Sequence, residues 1–264
     1  MPAGTLFAVG ILSNSNQFSA KYCDSWYSSL NSAFGGEKRW RNKVHDHYKK
    51  FDLTNKVAVI TGASEGIGRD MAIGLAEAGA DIIICSRREE KLLEVKKSIE
   101  KIGRKAETYA IDIQNVSEIE GLKAFIKAKT DKVDILINNA GYAVTKPAWD
   151  VSENDWDSMV DTGFKGLFFC CQVVGSIMRE HGYGKIINLS STFSRSIVPG
   201  RSVYAGIKAG IDHLTEALAM EWAPHGIRVN ALAPTAVNTP SRQVTSHFPH
   251  IKKPHFPTFS SASL

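Results

Sequence analysis

Cysteine is scarce in this chain, and long apolar runs are missing from it. The four cysteines, Cys23, Cys85, Cys170 and Cys171, have no spacing that fits a metal site or a disulfide framework, so they read as small core or surface residues in a reducing compartment. No stretch reaches the roughly 18 apolar residues that a membrane-spanning helix needs. Residues 5–12 are apolar, but no Lys or Arg precedes them as a secretory signal requires. Charge of one sign is also missing from the middle of the chain: residues 51–240 carry 22 Lys/Arg against 24 Asp/Glu, residues 1–50 carry seven against three, and residues 241–264 carry three against none. The net charge of +5 therefore comes from the two ends. A nucleic-acid-binding core would need a basic face of its own, so no nucleic acid and no membrane are expected as partners. A cytoplasmic location is expected, with organelle targeting by the serine-rich, acid-poor residues 1–50 as the alternative.

Periodicity divides the chain into three parts. Residues 1–50 have no sustained pattern and read as an irregular N-terminal extension; residues 51–240 carry the sustained alternation of one folded domain; residues 241–264, with Pro249, Pro254 and Pro257, read as an irregular tail. Within the domain, short apolar runs of strand type at 56–61, 81–86, 106–111, 133–138, 184–190 and 227–233 alternate with helical spacing at 68–79, 89–102, 117–129, 153–181 and 202–223. Continuous apolar strands alternating with helices predict an α/β fold, a Rossmann-type doubly wound parallel sheet covered on both faces.

Residues 61–68 read Thr-Gly-Ala-Ser-Glu-Gly-Ile-Gly, directly after a strand and at the start of a helix. Glycines in that context permit a tight turn, close approach of backbone to a pyrophosphate and helix–strand packing, and the helix N-terminus offers free N–H donors to the anion. Gly62, Ser64, Glu65, Gly66, Ile67 and Gly68 are therefore candidate cofactor-binding residues. The second strand ends in Cys85-Ser86-Arg87-Arg88, where sheets that prefer NAD usually carry an acid. A guanidinium there accommodates a 2′-phosphate, so Ser86 and Arg87 join the candidate set, with NADP favoured and NAD possible.

Tyr204 and Lys208 stand four apart on a predicted helix and share one face. An ammonium beside a phenol favours the ionised phenol, which then passes a proton at neutral pH.

With these motifs in order, the chain resembles the classical short-chain dehydrogenase/reductase family over residues 52–240. The resemblance rests on the turn at 61–68, Asp112 after the third strand, Asn138-Asn139-Ala140-Gly141 after the fourth, Ser191 after the fifth, Tyr204 with Lys208, and residues 234–239. It implies an NAD(P)-dependent oxidoreductase that interconverts a secondary alcohol and a ketone, with a small carbonyl or alcohol substrate and a homo-oligomeric state, a dimer formed through the helices at 153–181 and 202–223. By resemblance, Ser191, Tyr204 and Lys208 are catalytic, Tyr204 as proton donor or acceptor. Asp112 meets the adenine, Asn139, Ala140 and Gly141 line the cofactor, Tyr204 and Lys208 also touch it, and Val237 with Thr239 holds the carboxamide. The alternative is a non-catalytic cofactor-binding or dimerising relative with a truncated substrate side.

Four departures from the family pattern bear on that reading. Gly163 stands where the family has an asparagine that helps hold a water near the lysine; a local distortion is expected there, with the relay weakened. Thr235 replaces the glycine that usually follows Pro234, and Glu65 stands where many NADP-preferring members have a base. Residues 241–264 do not resemble the lid helix, second helix and last strand that family members carry, so an open substrate side and marginal stability are expected.

Overall fold

The apolar runs form strands because each is too short and too continuously apolar to leave either face to solvent, and the helices between them supply the cover. The computed structural model describes residues 51–237 and 239. The readings of residues 1–50 and 241–264, including the expected loss of the last helix and strand, lie outside the described residues. In chain order the elements are β1 (Val57–Thr61), α1 (Gly66–Glu77), β2 (Asp81–Ser86), α2 (Glu89–Lys101), β3 (Ala106–Ala110), α3 (Val116–Lys129), β4 (Ile135–Asn138), α4 (Glu153–Val160), α5 (Gly166–His181), β5 (Gly184–Leu189), α6 (Ser202–Trp222) and β6 (Ile227–Leu232). All pairings are parallel, in the order β3-β2-β1-β4-β5-β6.

Side chains alternate across the sheet, so each strand feeds two cores. Ala58, Ile60, Ile82, Ile84, Ile135 and Ile137 pack with Ala72 and Ala76 of α1 and Leu92, Val95 and Ile99 of α2. Val59, Ile83, Cys85, Leu136 and Ile186 pack on the other face with residues of α3, α5 and α6. Cys85, Cys170 and Cys171 are buried and free, and burial raises each thiol's pKa, so they serve as packing groups rather than nucleophiles. No helix among the described residues is long and apolar enough to cross a membrane.

Most expected elements differ from the observed ones by one or two residues at their ends, and two of the differences bear on the site. The fourth strand begins at Ile135 rather than at residue 133, because Asp134 turns its carboxylate to the bottom of the sheet. The helix expected over 153–181 is broken by a π-helical turn, Asp161–Lys165.

Asp134 ties together the edge of the sheet opposite the glycine turn. Its carboxylate accepts from Lys56 Nζ at 2.9 Å and from the Val57 N–H at 2.9 Å, and Lys132 Nζ lies 3.4 Å away. Burial alone would raise its pKa, but the bonds from Lys56 and Val57 and the Lys132 charge outweigh burial and hold it below the usual carboxylate value. Lys56 also sits over the Tyr183 ring, 4.5 Å from its centroid. Because the folded pKa is depressed, the stabilisation is present above the unfolded carboxylate range and is lost as pH falls through the folded value. Asp134→Ala is expected to lower stability at pH 7 by about 2 kcal/mol, less than for a fully buried pair because Lys56 is partly exposed. Urea unfolding at pH 7 and pH 3 checks this: the gap between wild type and variant narrows at the lower pH.

Candidate active site

The strand order reverses between β1 and β4, and in a doubly wound sheet ligands bind in the crevice at the carboxyl ends of the strands beside that point. The turn after β1 and the loop after β4 meet there. Thr61 and Asn138 end their strands in register. Beyond them, Thr61 Oγ1 accepts from the N–H groups of Asn139 and Ala140, both at 3.2 Å. The Asn139 amide donates back to the Thr61 carbonyl at 3.2 Å and the Gly62 carbonyl at 2.9 Å.

The glycines are fixed by this closeness. Gly62 adopts φ +66°, and a Cβ on it would stand 2.7 Å from Ala140 Cα. A Cβ on Gly68 would stand 2.3 Å from Asn139 Nδ2 and 2.4 Å from the Gly62 carbonyl oxygen. The helix that starts there, α1, has no side-chain cap and no acid in its first turn, which leaves its leading N–H groups and positive end available to an anion. A glycine turn that admits no side chain, leading into an uncapped helix at the switch point, fits a dinucleotide pyrophosphate. Thr239 is close to this turn, since its Cγ2 would lie 3.3 Å from a Cβ on Gly66.

At the end of β2, the Arg88 N–H donates to Ser86 Oγ at 3.3 Å. Arg88 Nη2 donates to Ser64 Oγ at 3.0 Å and pairs with Glu65 at 2.8 Å, and Lys91 Nζ pairs with the other Glu65 oxygen at 2.9 Å. Arg87 is largely exposed, and Asp112 stands 3.9 Å from it. Asp112 also accepts from the Gln114 N–H, so it shapes the turn after β3 as well as facing the β2 end. Arg88 and Lys91 were not singled out from sequence; a helix start with a cation at the cap and another three residues on is the signal that marks them.

On the other side of the crevice, the end of β5 is bonded to α6. Lys208 Nζ donates to the Leu189 carbonyl, and Ser190 Oγ donates to the Lys208 carbonyl at 3.2 Å. Ser191 follows, buried, accepting from the Phe193 N–H at 3.2 Å and so capping the short turn Thr192–Ser194. The Phe193 ring meets Tyr204 edge-on at 6.1 Å, and Lys208 Nζ lies 5.5 Å from the Tyr204 ring centroid. Burial pushes the Lys208 ammonium down to about 8, while the Asp212 carboxylate pulls the other way. Ser191, Tyr204 and Lys208 are thus gathered at the carboxyl end of β5 beside the switch point, on the same edge of the sheet as Gly141. Val237 is partly exposed beyond β6, and the segment before it is tied back through the Thr192 N–H to the Pro234 carbonyl at 3.2 Å.

A buried polar chain supports both halves and was not singled out from sequence. Asn138 Nδ2 donates to Asn188 Oδ1 at 3.0 Å and to Cys171 Sγ at 3.0 Å, and Asn188 Nδ2 donates to Thr215 Oγ1 at 3.0 Å. It joins β4, β5, α5 and α6 directly beneath the crevice. The distortion expected at Gly163 is the π turn, packed on α6 next to Lys208. Among the described residues no His, Cys, Asp and Glu cluster fits a metal ion.

The short chain dehydrogenase family model matches residues 56–249. An NAD-dependent glycerol dehydrogenase of Listeria innocua is 38% identical over 196 residues, covering 72% of this chain and 74% of that protein. Among solved structures, a gluconate 5-dehydrogenase of Burkholderia cenocepacia in complex with NADP and tartrate is similar with TM-score 0.73 and 32% identity, over 76% of this chain and 79% of that one. An NAD+-bound xylitol dehydrogenase is similar with TM-score 0.68 and 31% identity, over 69% of this chain and 71% of that one.

A buried ammonium costs folding energy wherever it is charged in the folded state. Since Lys208 is depressed below its unfolded value, this cost is full below about 8 and is relieved as pH rises from there toward the unfolded value. Lys208→Met is expected to stabilise the protein by about 2 kcal/mol at pH 7 while abolishing turnover. Thermal melts at pH 7 and pH 10 check it, the difference between variant and wild type shrinking at the higher pH.

Proposed function

The chain belongs to the short chain dehydrogenase family, and on that premise we propose that it interconverts a secondary alcohol and a ketone by hydride transfer with a nicotinamide dinucleotide, NADP in preference to NAD. The observation that carries this reading is the convergence of two loci on one edge of the sheet: the turn at the switch point, where Gly62 and Gly68 leave no room for a Cβ, and the buried Lys208 beside Tyr204. A bound nicotinamide supplies the hydride chemistry. The residues of the chain supply the proton and the field.

Tyr204 passes a proton between its phenol and the substrate oxygen, with Ser191 Oγ giving a second hydrogen bond to the same atom as it gains negative charge. To do so, Ser191 keeps its acceptor role toward Phe193, which leaves its own hydrogen free to point outward. Lys208, desolvated and held by the Leu189 carbonyl, places a positive charge 5.5 Å from the centre of the Tyr204 ring. Pushed down to about 8 by burial, the ammonium still stays mostly charged at pH 7.

The cofactor side rests on Gly62, Ser64, Glu65, Gly66, Ile67 and Gly68 for the pyrophosphate turn and on Ser86 and Arg87 at the end of β2. Asp112 belongs to the adenine end, Asn139, Ala140 and Gly141 to the middle, and Val237 and Thr239 to the carboxamide end. Gluconate, glycerol and xylitol dehydrogenases among the similar proteins support a polyol or sugar-acid substrate. A homo-oligomer is part of this reading, formed through α4, α5 and α6, where Trp156 and Met220 are exposed.

Tyr204→Phe is expected to lower kcat by about 100- to 10,000-fold, the usual contribution of a positioned acid–base group. Its dinucleotide affinity, followed by cofactor fluorescence, is expected to stay within about threefold. Turnover on a panel of polyols and their ketones with each dinucleotide tests the activity; binding of dinucleotide with no turnover on any of them would identify a non-catalytic relative instead.

Lys208 also sets a pH limb. Because the ammonium is lost as pH rises through about 8, kcat/KM for ketone reduction is expected to fall along a single-proton limb near that pH. A profile from pH 6 to pH 10 in constant ionic strength checks it.

A further inference from the structure

We propose that Lys146 is a positioning residue for Tyr204: it straps the chain that enters α6 to the start of α4, and so holds the first turn of α6, where the phenol stands, in its working place. This rests on the reading of Tyr204 as the proton-passing group and concerns what keeps that group in register.

The start of α6 lacks the usual means of holding itself. Its N-cap residue, Arg201, makes no side-chain capping bond, and no acid stands in the first turn. The first N–H groups of a helix have no partner within it, so an uncapped first turn opens easily. Tyr204 is the third residue of that helix. The approach to it, residues 195–199, is exposed, Ile197 to 89%. Among the described residues, the one backbone hydrogen bond of residues 197–200 comes from the Lys146 N–H to the Gly200 carbonyl, at 3.2 Å. Gly200, at φ +77°, lies against the same stretch: a Cβ on it would stand 3.4 Å from Thr145 Cγ2 and 3.5 Å from the Lys146 carbonyl oxygen.

Lys146 is itself anchored through its side chain. Its Nζ donates to Asp155 Oδ2 at 2.5 Å. That oxygen also accepts from the Ser152 N–H at 3.0 Å and from Ser152 Oγ at 2.7 Å, while Ser152 Oγ accepts from the Asp155 N–H at 3.2 Å, a reciprocal cap on α4. The bond from Lys146 and then those from Ser152 hold the Asp155 carboxyl down to about 2, so the pair stays ionised throughout the working pH range. Pro147 follows and restricts the Lys146 backbone to extended conformations. One residue thus joins two helix starts, by its side chain to the capped one and by its main chain to the uncapped one. With its ammonium engaged by Asp155, Lys146 acts on the reaction through α6 rather than by touching the substrate.

The test compares the full chain as wild type, Lys146→Met, Lys146→Arg, Asp155→Asn and the double variant Lys146→Met with Asp155→Asn, with thermal melts to establish folding. Hydrogen–deuterium exchange of the peptide covering residues 200–206 reads the first turn of α6, and steady-state kinetics on the panel of polyols and ketones reads Tyr204. Lys146→Met and Asp155→Asn are each expected to speed that exchange and to lower kcat about fivefold, the size of one partly exposed charged contact, with KM and dinucleotide affinity within about twofold of wild type. The double variant is expected to match either single one, since both remove the same contact. Lys146→Arg keeps a cation for Asp155 and is expected to recover most of kcat. Should Lys146→Met fail to fold, Asp155→Asn, whose amide oxygen can still accept from the Ser152 N–H, carries the comparison. Exchange and kcat within about twofold of wild type in the folded single variants overturn the proposal, and so do losses that multiply in the double variant. A raised KM with unchanged kcat overturns it too, because Lys146 would then contact the substrate. Wild type that turns over no member of the panel removes the proton-transfer reading, while the exchange comparison still decides the strap.

Discussion

The lock between Asn139 and the glycine turn is the contact on which the rest of the crevice depends. A phosphate-binding turn has to expose its N–H groups, so it cannot hold itself together with them. Here the neighbouring loop does so from behind: Thr61 Oγ1 receives two N–H groups from the β4 loop, and the Asn139 amide satisfies the carbonyls of Thr61 and Gly62. The bonds from the β4 loop use the turn's acceptors and one hydroxyl, while the Gly62 and Ala63 N–H groups donate to the Cys85 carbonyl at 2.8 and 3.3 Å. The uncapped start of α1 is left to face an anion, and the closeness of the two loops explains why Gly62 and Gly68 admit no Cβ.

The proton-handling half is built on the opposite principle. Charge is there stored at a cost rather than left open. Lys208 is buried with one carbonyl partner, Leu189, and burial lowers its affinity for a proton. Its neighbours do not neutralise it with a contacting carboxylate, so its field is directed at the phenol instead of being cancelled. Elsewhere in the fold buried charge is treated differently: Asp134 is surrounded by Lys56, Lys132 and the Val57 N–H and serves stability alone. Asp134 is thus paired with contacting cations, whereas Lys208 has no contacting carboxylate among the described residues.

The positions of strands and helices and the parallel sheet were legible from sequence because continuous apolar runs of four to six residues alternate with 3.6-residue periodicity, and the glycine turn marked the first crossover. The site residues near Tyr204 were legible as a spacing. What pattern could not give was partnership across the sheet. Nothing local in the sequence joins Glu65 to Arg88 and Lys91, more than twenty residues on, or Asn138 through Asn188 to Thr215. Such contacts arise from register and crossover geometry. Asn139 illustrates the same limit: its position in the cofactor loop is readable, but its use of the side chain to brace Gly62 is a consequence of β1 and β4 being neighbours.

The π turn at Asp161–Lys165 is explained by reciprocal fit rather than by weak helix propensity. Gly163 faces Ile207, whose Cγ2 would be 3.3 Å from a Cβ there, and one turn further along α6 Gly210 faces Phe164, whose ring would be 3.0 Å from a Cβ. Each helix thus contributes one large side chain and one glycine to the contact, and the two elements approach more closely than two ordinary side-chain layers allow. The Gln114 amide holds Thr162 Oγ1 at 2.8 Å, and Lys165 pairs with Asp161 at 2.7 Å across the turn, so the widened helix is anchored at both ends. Glycine inside a helix costs about 1 kcal/mol relative to alanine. That cost is offset by seating Ile207, the residue adjoining Lys208, against the backbone of the turn. The residue next to the ammonium thus packs on a glycine of a different helix, and an asparagine at residue 163 would require the Ile207 side chain to give by a few tenths of an ångström.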